Sequence, residues 1–355
     1  MIQVLVADDS VLQRRIIKSA LEMEHSIDVC GTAPTGAITL KKIEQLNPDL
    51  VLMNVVFPDI DGIQLLRKIK ERWPKTPVIV FSSKTSEAAS ITVNALTTGA
   101  ADYIEKPSGA RGLDENVQLV FRSLVPKIKM LCAKNEAPAP FVAPHTYKEP
   151  RKRKNVIDSI DVIAIGVSTG GPNALMQLFP SFPANLAVPI VIVQHMPPVF
   201  TSNLAKRLDK LSKIQVHEAK GGDLLKPGGA WLAPGGFHMV LEKNNGQVFV
   251  GINEDPPEEG CRPAVDVLFR SVADVYGANV LAVILTGMGK DGFAGSQCIL
   301  KEGGTLFAQD EESSVIWGMP GAVTKAGLPE KVVPLDQMGY EIVSRIEKTA
   351  RILTF

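Results

Sequence analysis

Residues 163–178 read IAIGVSTGGPNALMQL: an apolar β-run, a glycine-rich turn, then a helical stretch. Strand, tight turn and helix in that order form the repeating unit of a parallel sheet wound by helices. Two later stretches share the plan. VPIVIVQHMPP (188–198) is a continuous apolar run ending in Gln194-His195-Met196 and two prolines. VLAVILTGMGKDGFAG (280–295) ends in a glycine-rich loop that carries Asp291. Open parallel sheets place their sites at the carboxyl ends of the strands. Ser168, His195 and Asp291 are therefore predicted to gather along one sheet edge.

The first 125 or so residues alternate in the same way. Strands are expected at Ile2–Ala7, Ile27–Gly31, Leu50–Asn54, Val78–Ser82 and Tyr103–Glu105, with helical stretches between them such as Leu12–Met23, Ile63–Arg72 and Ser86–Thr98. This predicts an α/β chain with two such domains. The first is a five-stranded, doubly wound, flavodoxin-like domain over residues 1–130, and the second a parallel α/β domain over 157–355. Between them, CAKNEAPAPFVAPHTYKEPRKRKN (132–155) has four prolines and almost no apolar periodicity, so residues 131–156 read as an extended linker. Its basic run Arg151–Lys154 is a docking patch or a solvated linker end. Residues Asp336–Phe355 read as a short amphipathic helix, and there is no internal repeat.

At 355 residues the chain has room for two ordinary cores. Hydrophobic residues at 45% and charged residues at 21% describe a globular chain. Lys+Arg and Asp+Glu are equal at 38 each, so the balance of charge points to neither nucleic acid nor a membrane surface. A DNA-binding output is also disfavoured by the lack of a compact basic helix-turn-helix pattern in the second half. MIQVLVADDS has no basic start and no apolar segment, so no signal peptide is expected, and no apolar run is long enough to span a bilayer. Cys30, Cys132, Cys261 and Cys298 are scattered without a CxxC pair, which favours free thiols, a cytoplasmic location and no zinc site.

The strand ends of the first domain carry Asp8-Asp9, Asn54, Ser82-Ser83 and Glu105-Lys106-Pro107. Adjacent carboxylates repel unless a cation lies between them. A hydrated Mg²⁺ completed by phosphate oxygens meets that need, with a lysine and a hydroxyl holding the remaining oxygens. On these residues, residues 1 to about 125 resemble a two-component response-regulator receiver. The resemblance implies Asp8 and Asp9 as the acidic pair, Ser82 as the hydroxyl, Lys106 as the lysine and Tyr103 as the switch aromatic. It also puts the phosphorylated aspartate of receivers at Asn54. An amide has no anionic oxygen nucleophile and cannot form an acyl phosphate. This receiver is therefore expected not to be phosphorylated, and Asp8 and Asp9 are expected to form only a weak Mg²⁺ site. Asn54 is either the mark of a natural pseudo-receiver or a change that freezes the unphosphorylated state.

In the second domain, Gly166-Val167-Ser168-Thr169-Gly170 fits G-x-S-x-G, which can set a serine on a strand-to-helix turn. A nucleophilic serine needs an imidazole to take its proton and an acid to orient the imidazole. Each of the three residues also has an ordinary structural role open to it. Ser168 can cap a helix, His195 can be a hydrogen-bonded core histidine, and Asp291 can cap a helix starting near Phe293. The order Ser–His–Asp differs from the Ser–Asp–His of α/β-hydrolases, so a Rossmann-like fold is expected instead. Of the other histidines, His238 after APGG is a candidate to line the cleft.

Through GVSTGG, QHMPPVFT, CRPAVDVLF and LTGMGKDG the domain resembles the catalytic domain of the chemotaxis protein-glutamate methylesterases. With the receiver and linker in front, the similarity covers nearly the whole chain. It implies Ser168 as nucleophile, His195 as base and Asp291 as orienting acid, with Thr169, Gly170 and Met288 near the oxyanion. Arg262, beside Pro263, is a candidate to orient an acidic receptor helix, or else a structural arginine. The implied substrates are glutamate γ-methyl esters on cytoplasmic helices of methyl-accepting chemoreceptors, with glutamine deamidation at the same site. A chemotaxis histidine kinase is the implied second partner, and catalysis is expected to need no cofactor. In this family the unmodified receiver covers the hydrolase cleft until phosphorylation relieves it. Two alternatives remain: an adaptor that binds receptors or kinase without catalysis, and a serine hydrolase acting on another ester.

Overall fold

The computed structural model describes residues 1–83, 85–107, 112–133 and 159–352. The linker at 131–156, with Arg151–Lys154, falls almost wholly outside them. The chain divides into two compact units, Met1–Glu136 and Ala137–Phe355.

In the first unit, β1 (Ile2–Ala7), β2 (Ile27–Ala33), β3 (Leu50–Asn54), β4 (Val78–Ser82) and β5 (Asp102–Glu105) form one sheet. Its order is β2-β1-β3-β4-β5 and every pairing is parallel. This is the expected flavodoxin-like winding. Strand β2 runs two residues past expectation because Thr32 and Ala33 pair with Val6 and Ala7 of β1. Val4, Val6, Leu50, Leu52, Ile79 and Phe81 of the sheet are buried against Ile16, Ile17 and Leu21 of the first helix and Leu124 and Ile128 of the last. Each such side chain contributes roughly 1.5–3 kcal/mol by leaving water. Four helices of this unit open on side-chain caps: Ser10, Thr35, Asp61 and Thr85 accept from the backbone N–H three residues on.

The second unit contains β6 (Val162–Val167), β7 (Ile190–Gln194), β8 (Gln215–Glu218), β9 (Gly229–Leu232), β10 (His238–Asn244), β11 (Gln247–Asn253), β12 (Val280–Ile284), β13 (Thr305–Gln309) and β14 (Lys331–Val333). Seven of them form a parallel sheet in the order β14-β13-β12-β6-β7-β9-β8. Strand β6 lies between β7 and β12, so the winding reverses around it. A crevice opens at such a switch point, beyond the strands' carboxyl ends. The helices that follow β6 and β12 begin without a side-chain cap, on Gly170 and Gly292 at φ 78° and 89°. After β6 the Gly170 N–H has no acceptor among the described residues, whereas after β12 the N–H groups of Gly292 and Gly295 are taken by the carboxylates of Asp291 and Asp266.

Strands β10 and β11 make a separate antiparallel hairpin. Asn245 and Gly246 both have positive φ, 49° and 78°, as a two-residue hairpin turn requires. The final helix, Leu335–Ile352, agrees with the expected amphipathic tail up to the last described residue. Among the described residues no helix is long and apolar enough to cross a membrane.

Candidate active site

Ser168 immediately follows β6. Its N–H donates to the Thr286 carbonyl at 3.0 Å, and its own carbonyl accepts from Gly171 N–H at 2.8 Å. That closes the strand-to-helix turn. A Cβ on Gly171 would stand 2.0 Å from Gln194 Oε1, and one on Gly287 would stand 2.8 Å from Ser168 Cβ. The glycines thus let the chains bearing Ser168, Gln194 and Met288 approach one another. Ser168 does not cap the helix, since the cap position is Gly170. Its hydroxyl has no hydrogen-bond partner among the described residues.

His195 immediately follows β7 and is 12% exposed. Its Nε2 lies 2.7 Å from Asp291 Oδ2. Asp291, 3% exposed, also accepts from the N–H groups of Val265 at 2.7 Å, Asp266 at 2.9 Å and Gly292 at 2.8 Å. Two of these donors open the helix Val265–Tyr276, so Asp291 does cap a helix, though not the one that follows it. Burial pushes the Asp291 carboxyl up, but His195 and the backbone donors outweigh it and hold the group below its ordinary value. A carboxylate fixed in this way keeps Nε2 protonated, which leaves Nδ1 as the nitrogen able to accept a proton. Burial opposes charging the ring, yet its bonds to Asp291 and Cys261 raise His195 to about 9.

Four residues of the site were not picked out from the sequence. Gln194 donates from one amide nitrogen to the carbonyls of Ser168, at 2.9 Å, and His195, at 3.2 Å. Cys261 Sγ lies 3.5 Å from His195 Nδ1. Thr286 donates its hydroxyl to the Thr169 carbonyl at 3.0 Å. Asp266 accepts from Gly295 N–H at 2.6 Å and is pushed up to about 6, chiefly by burial and also by the neighbouring Asp291. Position at a strand end was the signal available for Gln194. Cys261 opens the CRPAVDVLF stretch, but nothing in the sequence signals its contact with His195, made across 66 residues.

Thr169 is buried and Met288 half-buried beside the same turn. The N–H groups of Gly170 and Met288 find no acceptor among the described residues. Arg262 braces its own loop, donating from Nη1 to the carbonyls of Glu254 at 2.8 Å and Asp255 at 3.1 Å. His238 does not line a cleft. It is fully buried, accepting from Ala264 N–H at Nδ1 and donating from Nε2 to the Pro256 carbonyl.

In the first unit, Asp8, Asp9, Asn54 and Lys106 converge at the strand ends. Lys106 Nζ lies 2.8 Å from Asp8 Oδ2. The Asn54 amide donates to Asp9 Oδ1 at 2.8 Å and to the Val56 carbonyl at 2.9 Å, while its oxygen accepts from Val55 N–H. Two acceptors opposite one side of the amide fix which side carries the nitrogen. Ser82 is fully buried and bonded to Thr92 Oγ1 at 2.6 Å, and Tyr103 is buried. Mg²⁺ needs carboxylate oxygens free to face it. Here Lys106 holds one and the Asn54 amide another, so the residues present fit the ion poorly.

Residues 163–342 match the CheB methylesterase family, and residues 4–118 match the response regulator receiver domain. A protein-glutamate methylesterase/protein-glutamine glutaminase of Trichodesmium erythraeum is 47% identical over 347 residues, covering 97% of this chain and 99% of the relative. One from Nocardioides is 41% identical, covering 98% and 96%. The crystal structure of the Thermotoga maritima CheB methylesterase catalytic domain is 42% identical with a TM-score of 0.52, covering 52% of this chain and 98% of that one. The chain therefore belongs to the CheB methylesterase family, with a response-regulator receiver domain ahead of its methylesterase domain.

Proposed function

We propose that this protein hydrolyses glutamate γ-methyl esters on the cytoplasmic helices of chemoreceptors, with Ser168 as nucleophile, His195 as general base and Asp291 as orienting acid. The observation that carries the reading is the 2.7 Å His195–Asp291 pair, on the strand ends that flank the one bearing Ser168.

Ser168 Oγ attacks the ester carbonyl as His195 Nδ1 takes its proton. The oxyanion is met by backbone N–H groups of Gly170 and Met288, at roughly 3–4 kcal/mol of transition-state stabilisation per donor. The C–O bond to the methoxy group breaks, His195 returns the proton, and methanol leaves. Water then attacks the acyl-serine with His195 again as base, releasing the glutamate carboxylate and the serine hydroxyl. The same steps on a glutamine side chain release ammonia in place of methanol.

In this reading the receiver takes no phosphoryl group, because Asn54 offers an amide and holds Asp9 with it. A chemotaxis histidine kinase is then a docking partner and not a phosphoryl donor. The test is methanol release from methylated receptor membranes incubated with the protein. The intact chain is expected to release methanol and Ser168→Ala to lose at least a thousandfold of that rate. Equal release by both would remove Ser168 from the mechanism, and no release by either the intact chain or residues 155–355 alone would remove the substrate.

A further inference from the structure

We infer that Cys261 is a positioning residue for the base: its thiol holds His195 Nδ1 in the resting enzyme, and Ser168 is activated only when the thiol gives that nitrogen up. The inference rests on the reading of His195 as general base. An imidazole has two nitrogens, and Nε2 is committed to Asp291 at 2.7 Å. Ser168 must therefore deliver its proton to Nδ1, which lies 3.5 Å from Cys261 Sγ while the Ser168 hydroxyl has no partner among the described residues. On the charged ring Nδ1 carries a proton and the thiol sulfur is only a weak acceptor for it, so a hydroxyl brought up with substrate displaces it readily.

The thiol is also held in place. Cys261 and Glu258 exchange both backbone hydrogen bonds, at 2.8 and 3.1 Å, and Glu258 is paired with Arg270. A few residues on, Val265 and Asp266 supply the N–H groups that fix Asp291. One short segment thus controls both edges of the ring, one directly and the other through the acid. Of the charged groups, Asp291 faces the ring itself, Asp266 and the Glu258–Arg270 pair act on the Asp291 carboxylate's surroundings, and Glu259, next to Glu258, pairs with exposed Lys290. The Cys261 contact adds to Asp291 in favouring the charged ring.

The test follows the His195 imidazole by NMR in the intact chain, in Cys261→Ala and in Cys261→Ser, alongside fluorophosphonate labelling of Ser168. In Cys261→Ala the ring is expected to titrate at lower pH by about half a unit or more, the weight of one modest hydrogen bond. Ser168 labelling at pH 7 is expected to speed up severalfold, with Cys261→Ser in between. Iodoacetamide is expected to block labelling in the intact chain but not in Cys261→Ala, which retains the other three cysteines. Identical titration and labelling in the intact chain and Cys261→Ala would overturn the proposal, since a merely structural cysteine moves stability alone. If Cys261→Ala does not fold, Cys261→Ser and the iodoacetamide comparison in the intact chain decide the matter. Failure to label Ser168 at all would sink the hydrolase reading, while the titration would still decide the thiol contact.

Discussion

At the scale of residues, His195 sets the behaviour of the site. Raised to about 9, the ring is charged at neutral pH and becomes a base only as the medium turns alkaline. The kcat/KM of ester hydrolysis is therefore expected to climb between pH 7 and pH 9. A limb near 6.5, the ordinary histidine value, would show that the bonds from Asp291 and Cys261 do not hold the proton. The same elevation bears on stability. Its contribution is complete below 6.5 and is lost as pH rises through about 9, so the Tm advantage over His195→Gln should shrink across that window. Asp291 accepts four hydrogen bonds, and an amide cannot accept them all. Asp291→Asn is expected to lower kcat by about 10⁴-fold and stability by about 1–3 kcal/mol, read by kinetics and by denaturant melts. Ser168, His195 and Asp291 were legible in the sequence because each ends an apolar run at a glycine or proline turn. Cys261 was not, because its contact with His195 depends on how a distant loop folds back.

At the scale of elements, the two units treat their helix starts differently. The first caps four of them with their own N-cap side chains, whereas the second begins its helices after β6 and β12 on glycines, leaving Gly170 N–H without an acceptor among the described residues and handing Gly292 and Gly295 to the carboxylates of Asp291 and Asp266. The turn after β6 depends on Gly171, where any Cβ would displace Gln194 and release the Ser168 and His195 carbonyls it clasps. Gly171→Ala is expected to cost about 1–3 kcal/mol of stability, with a fall in kcat larger than the change in KM. Unchanged kinetics would mean that Gln194 does not align the two residues. Most parallel strands were readable from their apolar runs. The β10–β11 hairpin was overlooked although Asn245-Gly246 between alternating apolar residues signals it. Asp291, for which capping the helix near Phe293 was the ordinary alternative role, caps Val265–Tyr276, a pairing that only the tertiary fold creates.

At the scale of the whole molecule, sheet order does what sequence order cannot. The strands bearing Ser168, His195 and Asp291 are not consecutive in the chain, yet β7, β6 and β12 lie side by side. The parallel α/β class was legible, but the position of β6 at the switch point was not, because strand order is set by packing of the completed sheet. Residues 4–118 match the receiver domain, and the proposed reading puts Asn54 in the place of its nucleophile. An acyl-phosphate donor is expected to leave both the mass of the chain and its rate of methanol release unchanged, and Asn54→Asp is expected to gain a phosphoryl group under the same conditions. The most direct measurement of the central claim is rapid quenching during turnover of an activated ester, followed by peptide mass mapping. The account predicts an acyl adduct on Ser168 in the intact chain that is absent from Ser168→Ala and forms far more slowly in His195→Gln. An adduct on Cys261, or turnover by the intact chain with no adduct on Ser168, would contradict it.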